Sequence, residues 1–212
     1  SGSQTPSAPL VTHEHTVLNF ANGTQTNISV TGELSFSDIP PGNIDSVIIG
    51  TDVTSIGNSE FQFSGGVFQN RELKNVIFPS SVTKIGSFAF ANNDLTNIVI
   101  PNSVEIINNN AFSSNNITSL TIPHSVTEIW PGVFNGNFYL SELYMKTPPN
   151  IFTWVSNFNG INLTYVYLAP YVLSDWLNNY GETEFPFIIE YWENSINNVT
   201  FANWTSYPNP MS

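Results

Sequence analysis

The chain has 212 residues, of which 41% are apolar and only 9% charged, and 16 acids against 4 bases leave a formal charge of −12. Four cations (Arg71, Lys74, Lys84 and Lys146) cannot neutralise a run of phosphates, which argues against nucleic acid and against anionic membrane surfaces as partners. Without cysteine there is no disulfide, thiol catalysis or zinc–thiolate site, and no window of about 18 consecutive apolar residues is present to insert into a bilayer.

In chain order, residues 1–16 read as tag and linker. Ser1-Gly2-Ser3 has the form of an expression remnant, so the natural start is expected elsewhere. His13-Glu14-His15 sits in this Pro-flanked stretch with no further ligand implied by spacing, and reads as linker rather than metal site. Residues 17–43 alternate weakly, with Ile28, Val30, Leu34 and Phe36 as the apolar members. They are expected to form strands that cap one end of the repeat region beginning at Ile44. Asp38, Asp45 and Asp52 are spaced unlike a calcium loop.

From Ile44 to Leu168 one pattern recurs. Copies begin at Leu73, Leu95, Ile117, Leu140 and Leu163, at intervals of 22, 22, 23 and 23 residues, with an earlier copy from Ile44. Counting the leading residue as zero, offsets +3 (Val76, Ile98, Leu120, Leu143, Val166) and +5 (Phe78, Ile100, Ile122, Met145, Leu168) alternate as a strand does, facing a core. Pro79, Pro101 and Pro123 then stop the strand, because proline removes a ladder donor. S-V-x-x-I comes next, with Val82/Ile85, Val104/Ile107 and Val126/Ile129 expected inside. Phe90, Phe112 and Phe134 at offset +17 predict a column of stacked rings. Each copy closes on Asn (Asn92, Asn93, Asn115, Asn116, Asn137), which tolerates left-handed backbone and bonds to neighbouring amides. In the first copy Phe61 falls at +17, which puts about seven extra residues in the turn through Gln62–Glu72.

A period of 20–29 residues headed by L-x-x-[apolar]-x-[apolar] is that of a leucine-rich-repeat solenoid. A mainly β, right-handed superhelix with a parallel concave sheet is therefore expected over 44–168. Beyond it, residues 169–192 predict a C-terminal cap of helix plus strand. Pro170 opens the helix, Val172, Leu173, Trp176, Leu177 and Tyr180 share one face, Gly181 ends it, and FPFIIEYW forms the strand. Residues 193–212 read as a final strand or linker. The six N-x-[ST] triplets are about as many as so Asn-, Ser- and Thr-rich a chain carries by chance.

The repeat LxxIxIPxSVxxIxxxAFxxN, as it stands in residues 95–116, resembles the BspA-type bacterial leucine-rich repeat, and the resemblance covers about residues 44–168. It implies a cell-surface or secreted protein engaged in adhesion, and it brings no catalytic residues. Tyr207-Pro208-Asn209-Pro210 resembles the opening of the C-terminal sorting domain used in type IX secretion. That resemblance implies an extracellular or surface-attached location, with a sorting domain beyond the last residue.

On the concave strands, offsets +2 and +4 point outward. The first row runs Ser46, Asn75, Asn97, Ser119, Glu142, Tyr165, and the second Ile48, Ile77, Val99, Thr121, Tyr144, Tyr167. The aromatic end suggests a ligand site at Tyr144, Tyr165 and Tyr167 with Glu142, Lys146 and Trp154, since Tyr supplies contact area at small entropic cost. The same residues would also stabilise a sheet by cross-strand pairing. Trp130, which stands where the second copy has Gly86, is a further candidate for exposure. No catalytic motif, metal site or cofactor is expected, and Glu142 is the one acid on the outward face of the predicted concave strands. The expected partner is a host or environmental protein, or a polysaccharide, and the rival reading is a spacer that binds nothing.

Overall fold

The computed structural model describes residues 14–57, 65–147, 157–158, 161 and 163–169, and the backbone of 188–191. The described residues form a β-solenoid of about five turns with parallel sheets, and helix is almost absent among them. Strands β1 (Thr16–Phe20), β2 (Gln25–Ile28) and β3 (Gly32–Leu34) come first. They are followed by β4 (Ile44–Ile48), β5 (Val53–Ile56), β6 (Asn75–Ile77), β7 (Lys84–Ile85) and β8 (Ile106–Ile107). The series ends with β9 (Ser119–Ile122), β10 (Glu128–Ile129), β11 (Glu142–Met145), β12 (Tyr165–Leu168) and β13 (Ile188–Tyr191).

The repeat offers two strand positions, one at its leading apolar residues and one ending at offset +12. The first strand of the repeat gives β4, β6, β9, β11 and β12, and the residues ending at offset +12 give β5, β7, β8 and β10. Like pairs with like, in parallel: Val47 lies opposite Val76, and Leu143 lies between Leu120 and Val166. The sequence period is thus the sheet register. Two first-strand sheets result, β2-β1-β4-β6 and β13-β12-β11-β9, because residues 97–100 at the equivalent place are not in strand. The second column is a continuous sheet ordered β10-β8-β7-β5-β3.

The N-terminal strands cap the solenoid as expected. β1 pairs antiparallel with β4 and with β2, while β3 adds in parallel beside β5. At the other end, the sequence assigns the FPFIIEYW strand to a cap. That strand is present as β13, whose backbone pairs parallel to β12, Tyr165 opposite Ile188 and Leu168 opposite Tyr191, one strand beyond Leu168 at the same 23-residue spacing. The predicted helix from Pro170 to Gly181, together with Trp154, Phe61, His13 and Tyr207–Pro210, lies outside the described residues.

Among the described residues the inward offsets are buried. Leu73, Leu95 and Ile117 lead three coils at 0% exposure, and +3, +5, +9 and +12 residues stay at or below 6% from Val47 to Leu168. Phe90, Phe112 and Phe134 stack face to face with centroids 5.4 and 6.1 Å apart. The ring that continues the column into the first coil is Phe68, 5.3 Å from Phe90, and not Phe61. The seven-residue insertion therefore enters before the ring position, between Ile56 and Phe68, rather than after it. Gly66-Val67-Phe68 and Gly132-Val133-Phe134 are the same tripeptide at the same station. At the far end Phe158 takes the next place, 5.8 Å from Phe134.

Two polar columns complete the coil. The Ser of S-V-x-x-I turns its hydroxyl to the carbonyl of the preceding coil: Ser81 Oγ donates to Val53 O and Ser103 Oγ to Val82 O, both at 2.7 Å. Thr147 does the same to Val126 O at 2.8 Å, whereas Ser125 Oγ is buried with no hydrogen bond. The Asn positions divide by one residue. Asn92, Ser114 and Gly136 take positive φ (55, 54 and 78°), while Asn93, Asn115 and Asn137 are buried. Asn115 Oδ1 accepts from Leu95 N, closing its own coil, and Nδ2 donates to Phe90 O at 2.9 Å and Phe112 O at 3.0 Å, tying two coils together.

Candidate functional site

Because the sheet period is two, every residue that leaves offset +3 or +5 inside sends its neighbours at +2 and +4 to the outer face. On β6 the outward residues are small or aliphatic, Asn75 and Ile77. On β9 they are Ser119 and Thr121, and on β11 and β12 they become Glu142, Tyr144, Tyr165 and Tyr167. The register sets Tyr144 beside Tyr167, and Glu142 beside Tyr165. All four side chains are half-buried, standing on a floor of buried Leu143, Met145, Val166 and Leu168.

The rings form one cluster. Tyr144 and Tyr167 stack at 4.4 Å with 9° between planes, and Tyr165 lies 6.0 Å from Tyr167. Tyr144 Oη donates to Glu142 Oε2 at 3.2 Å. Burial first, and then the negative charge of Glu142, push the Tyr144 phenol up from 10.0 to about 12. The phenol is therefore neutral at any physiological pH, its proton aimed at a carboxylate that keeps acceptor capacity for a ligand donor.

Lys146 follows directly. It occupies the offset at which three earlier copies have proline, its N–H donates to Ile122 O at 2.9 Å, and its side chain is half-buried in the turn leaving β11. Trp130 is 43% exposed, but it follows β10 and so belongs to the other sheet, away from the tyrosines. The register of β13 brings a second acid, Glu190, to the position beside Tyr167, so Glu142 is not the sole acid on these strands. Elsewhere His15 Nδ1 is 3.0 Å from Ser29 Oγ, and among the described residues no group of three His, Cys, Asp or Glu could hold a metal.

Strand periodicity overlooks two residues. Phe138 and Tyr139, in the turn that leads into β11, are 70% and 67% exposed. The signal was present in the spacing. Asn115 and Asn137 are 22 apart, but Ile117 and Leu140 are 23 apart, so the extra residue of this copy lies at 138–139.

These features define a leucine-rich-repeat solenoid whose first-strand face carries an aromatic cluster at one end. The chain belongs to the BspA-type leucine-rich-repeat family: the BspA type leucine rich repeat region matches residues 62–174 in six copies, more than half of the chain. Among solved structures it is similar to the pneumococcal vaccine antigen PcpA, with 17% identity over 78% of this chain and 43% of that one, TM-score 0.39. A leucine rich cell surface protein of Faecalibacterium prausnitzii A2-165 shares 17% identity over 79% of this chain and 72% of that one, TM-score 0.37. A leucine-rich repeat protein of Bacteroides ovatus ATCC 8483 shares 22% identity over 58% and 37%, TM-score 0.37. The chain thus spans less than half the length of the first and third. No curated protein matches it.

Proposed function

We propose that this chain is a non-catalytic binding module of a bacterial surface or secreted protein, which captures a protein or glycan on its first-strand face around Tyr144, Tyr165, Tyr167 and Glu142. The observation that carries the reading is the aromatic cluster itself: three half-buried tyrosines and a carboxylate meet on two adjacent strands of a face that is otherwise small and aliphatic. Membership of the BspA-type family supports a role at the cell surface, and among the described residues no helix is long and apolar enough to cross a membrane. Lys146 and Trp154 flank the cluster in sequence and belong to the proposed footprint. Type IX export through Tyr207–Pro210 is part of the same proposal, and replacing those four residues in the native cell should keep the protein from its surface.

The test is a double substitution. Tyr144→Ala/Tyr167→Ala should abolish capture from arrayed host proteins and glycans while the melting temperature stays nearly unchanged. The spacer reading has one observation in its favour, the 4.4 Å stack, because cross-strand aromatic pairs also stabilise sheets by about 0.2–1 kcal/mol. It requires the opposite result: a lowered melting temperature, and no ligand for either form.

A further inference from the structure

Phe138 and Tyr139 stand outside the columns that tie coil to coil. The structural columns pass them by: Phe134 keeps its place in the ring stack, and Asn137 still clamps Ile117 N and the carbonyls of Phe112 and Phe134. In the two preceding copies the residue after the buried Asn is Asp94 or Asn116, as solvent prefers. Here it is Phe138, and the one-residue lengthening of the copy adds Tyr139 beside it. Two adjacent large rings at 70% and 67% exposure form a contiguous apolar patch outside the core, the kind of feature that marks an interaction surface.

We infer that Phe138 and Tyr139 are the anchor for a partner protein, which lays a basic, apolar segment over this corner and on to the tyrosine face. The inference deepens the concave-face reading and rests on it for the continuation of the footprint. Tyr139 is three residues from Glu142, a backbone reach of about 10 Å, so corner and face can meet one segment. Charge selects the partner. The chain carries −12 overall; on the same corner Asp94 and Glu72 stand exposed, with Lys74 beside them already bridged to Asp45, and Glu142 adds a carboxylate beside the rings. A Lys or Arg set over an exposed ring and next to a carboxylate gains both cation–π and ionic attraction. The molecule already makes such a pair internally, with the Arg71 guanidinium 5.7 Å from the centroid of the exposed Phe36 ring. Aromatic residues of this kind are the usual energetic anchors of protein interfaces.

The experiment selects random linear peptides displayed on phage against the intact chain, and then measures the winners on three proteins: wild type, Phe138→Asn/Tyr139→Ser, and Tyr144→Ala/Tyr167→Ala. The selected peptides should be rich in Lys or Arg with apolar neighbours, and their binding should weaken as salt is raised. The corner variant should melt like wild type and bind at least about tenfold more weakly. Tyr139→Ser alone serves if the double variant melts early. Peptides bound equally by the corner variant overturn the inference, as do acidic winners or a selection with no winners. So does a neutral glycan panel whose retention, unlike that of the peptides, depends on the corner. Loss of binding in the tyrosine-face variant alone keeps the concave-face reading and discards the corner. Loss in the corner variant alone does the reverse.

Discussion

Asn115 shows how much of this fold rests on single side chains that hydropathy does not reveal. It is 3% exposed, yet its amide group is engaged at both ends, accepting from Leu95 N and donating to Phe90 O and Phe112 O. Replacing it with Ala strands the buried Leu95 N–H, at about 1–3 kcal/mol for a donor left unsatisfied, and leaves Phe90 O and Phe112 O with one amide donor each, from Asn93 and Asn137. Asn115→Ala is therefore expected to lower the denaturant midpoint sharply, whereas Asn116→Ala, one residue on in the turn, should change it little. Tyr144 offers a second residue-level measurement. Its folded-state value of about 12 lies above the ordinary 10.0, so the fold holds the proton more tightly than the unfolded chain does. The stabilisation from this group is complete below pH 10 and is lost as pH rises towards 12. An ultraviolet phenolate titration should show a late-titrating tyrosine that disappears in Tyr144→Phe.

At the scale of elements, the ring column and the short strands define the coil as a unit that is unstable alone and stable when stacked. Phe112 lies between Phe90 and Phe134, so truncating it removes a partner from both sides. Phe112→Ala should cost about 3–5 kcal/mol in equilibrium unfolding. The coil is readable because the residues that build it recur in type and interval: Val at +9, Ile at +12, Phe at +17. The place of the insertion is not, for an equally concrete reason. Phe61 and Phe68 are seven residues apart and both aromatic, so counting forward from Ile44 picks the wrong one, and the neighbouring ring at 5.3 Å decides between them. The Ser and Asn columns are visible as letters but not as bonds between coils, since hydrogen-bond partners twenty or more residues away leave no mark on apolar periodicity.

For the molecule as a whole, the architecture is legible in the chain because a solenoid is a local rule applied repeatedly. Less of the candidate site is legible. Tyr144, Tyr165, Tyr167 and Glu142 follow from strand phase and do share a face, but Phe138 and Tyr139 stand in a turn where strand phase says nothing. Nor does apolar periodicity foresee the interruption at 97–100, where Ile98, Val99 and Ile100 have the types of a strand. The added residues between Ile56 and Phe68 have one further consequence. Ile56 still pairs with Ile85, and Phe68 still meets Phe90, on either side of the inserted stretch. That interval of the chain is therefore an address where foreign sequence, such as an epitope or a fluorophore tag, can be spliced in while the stack on both sides keeps its phase.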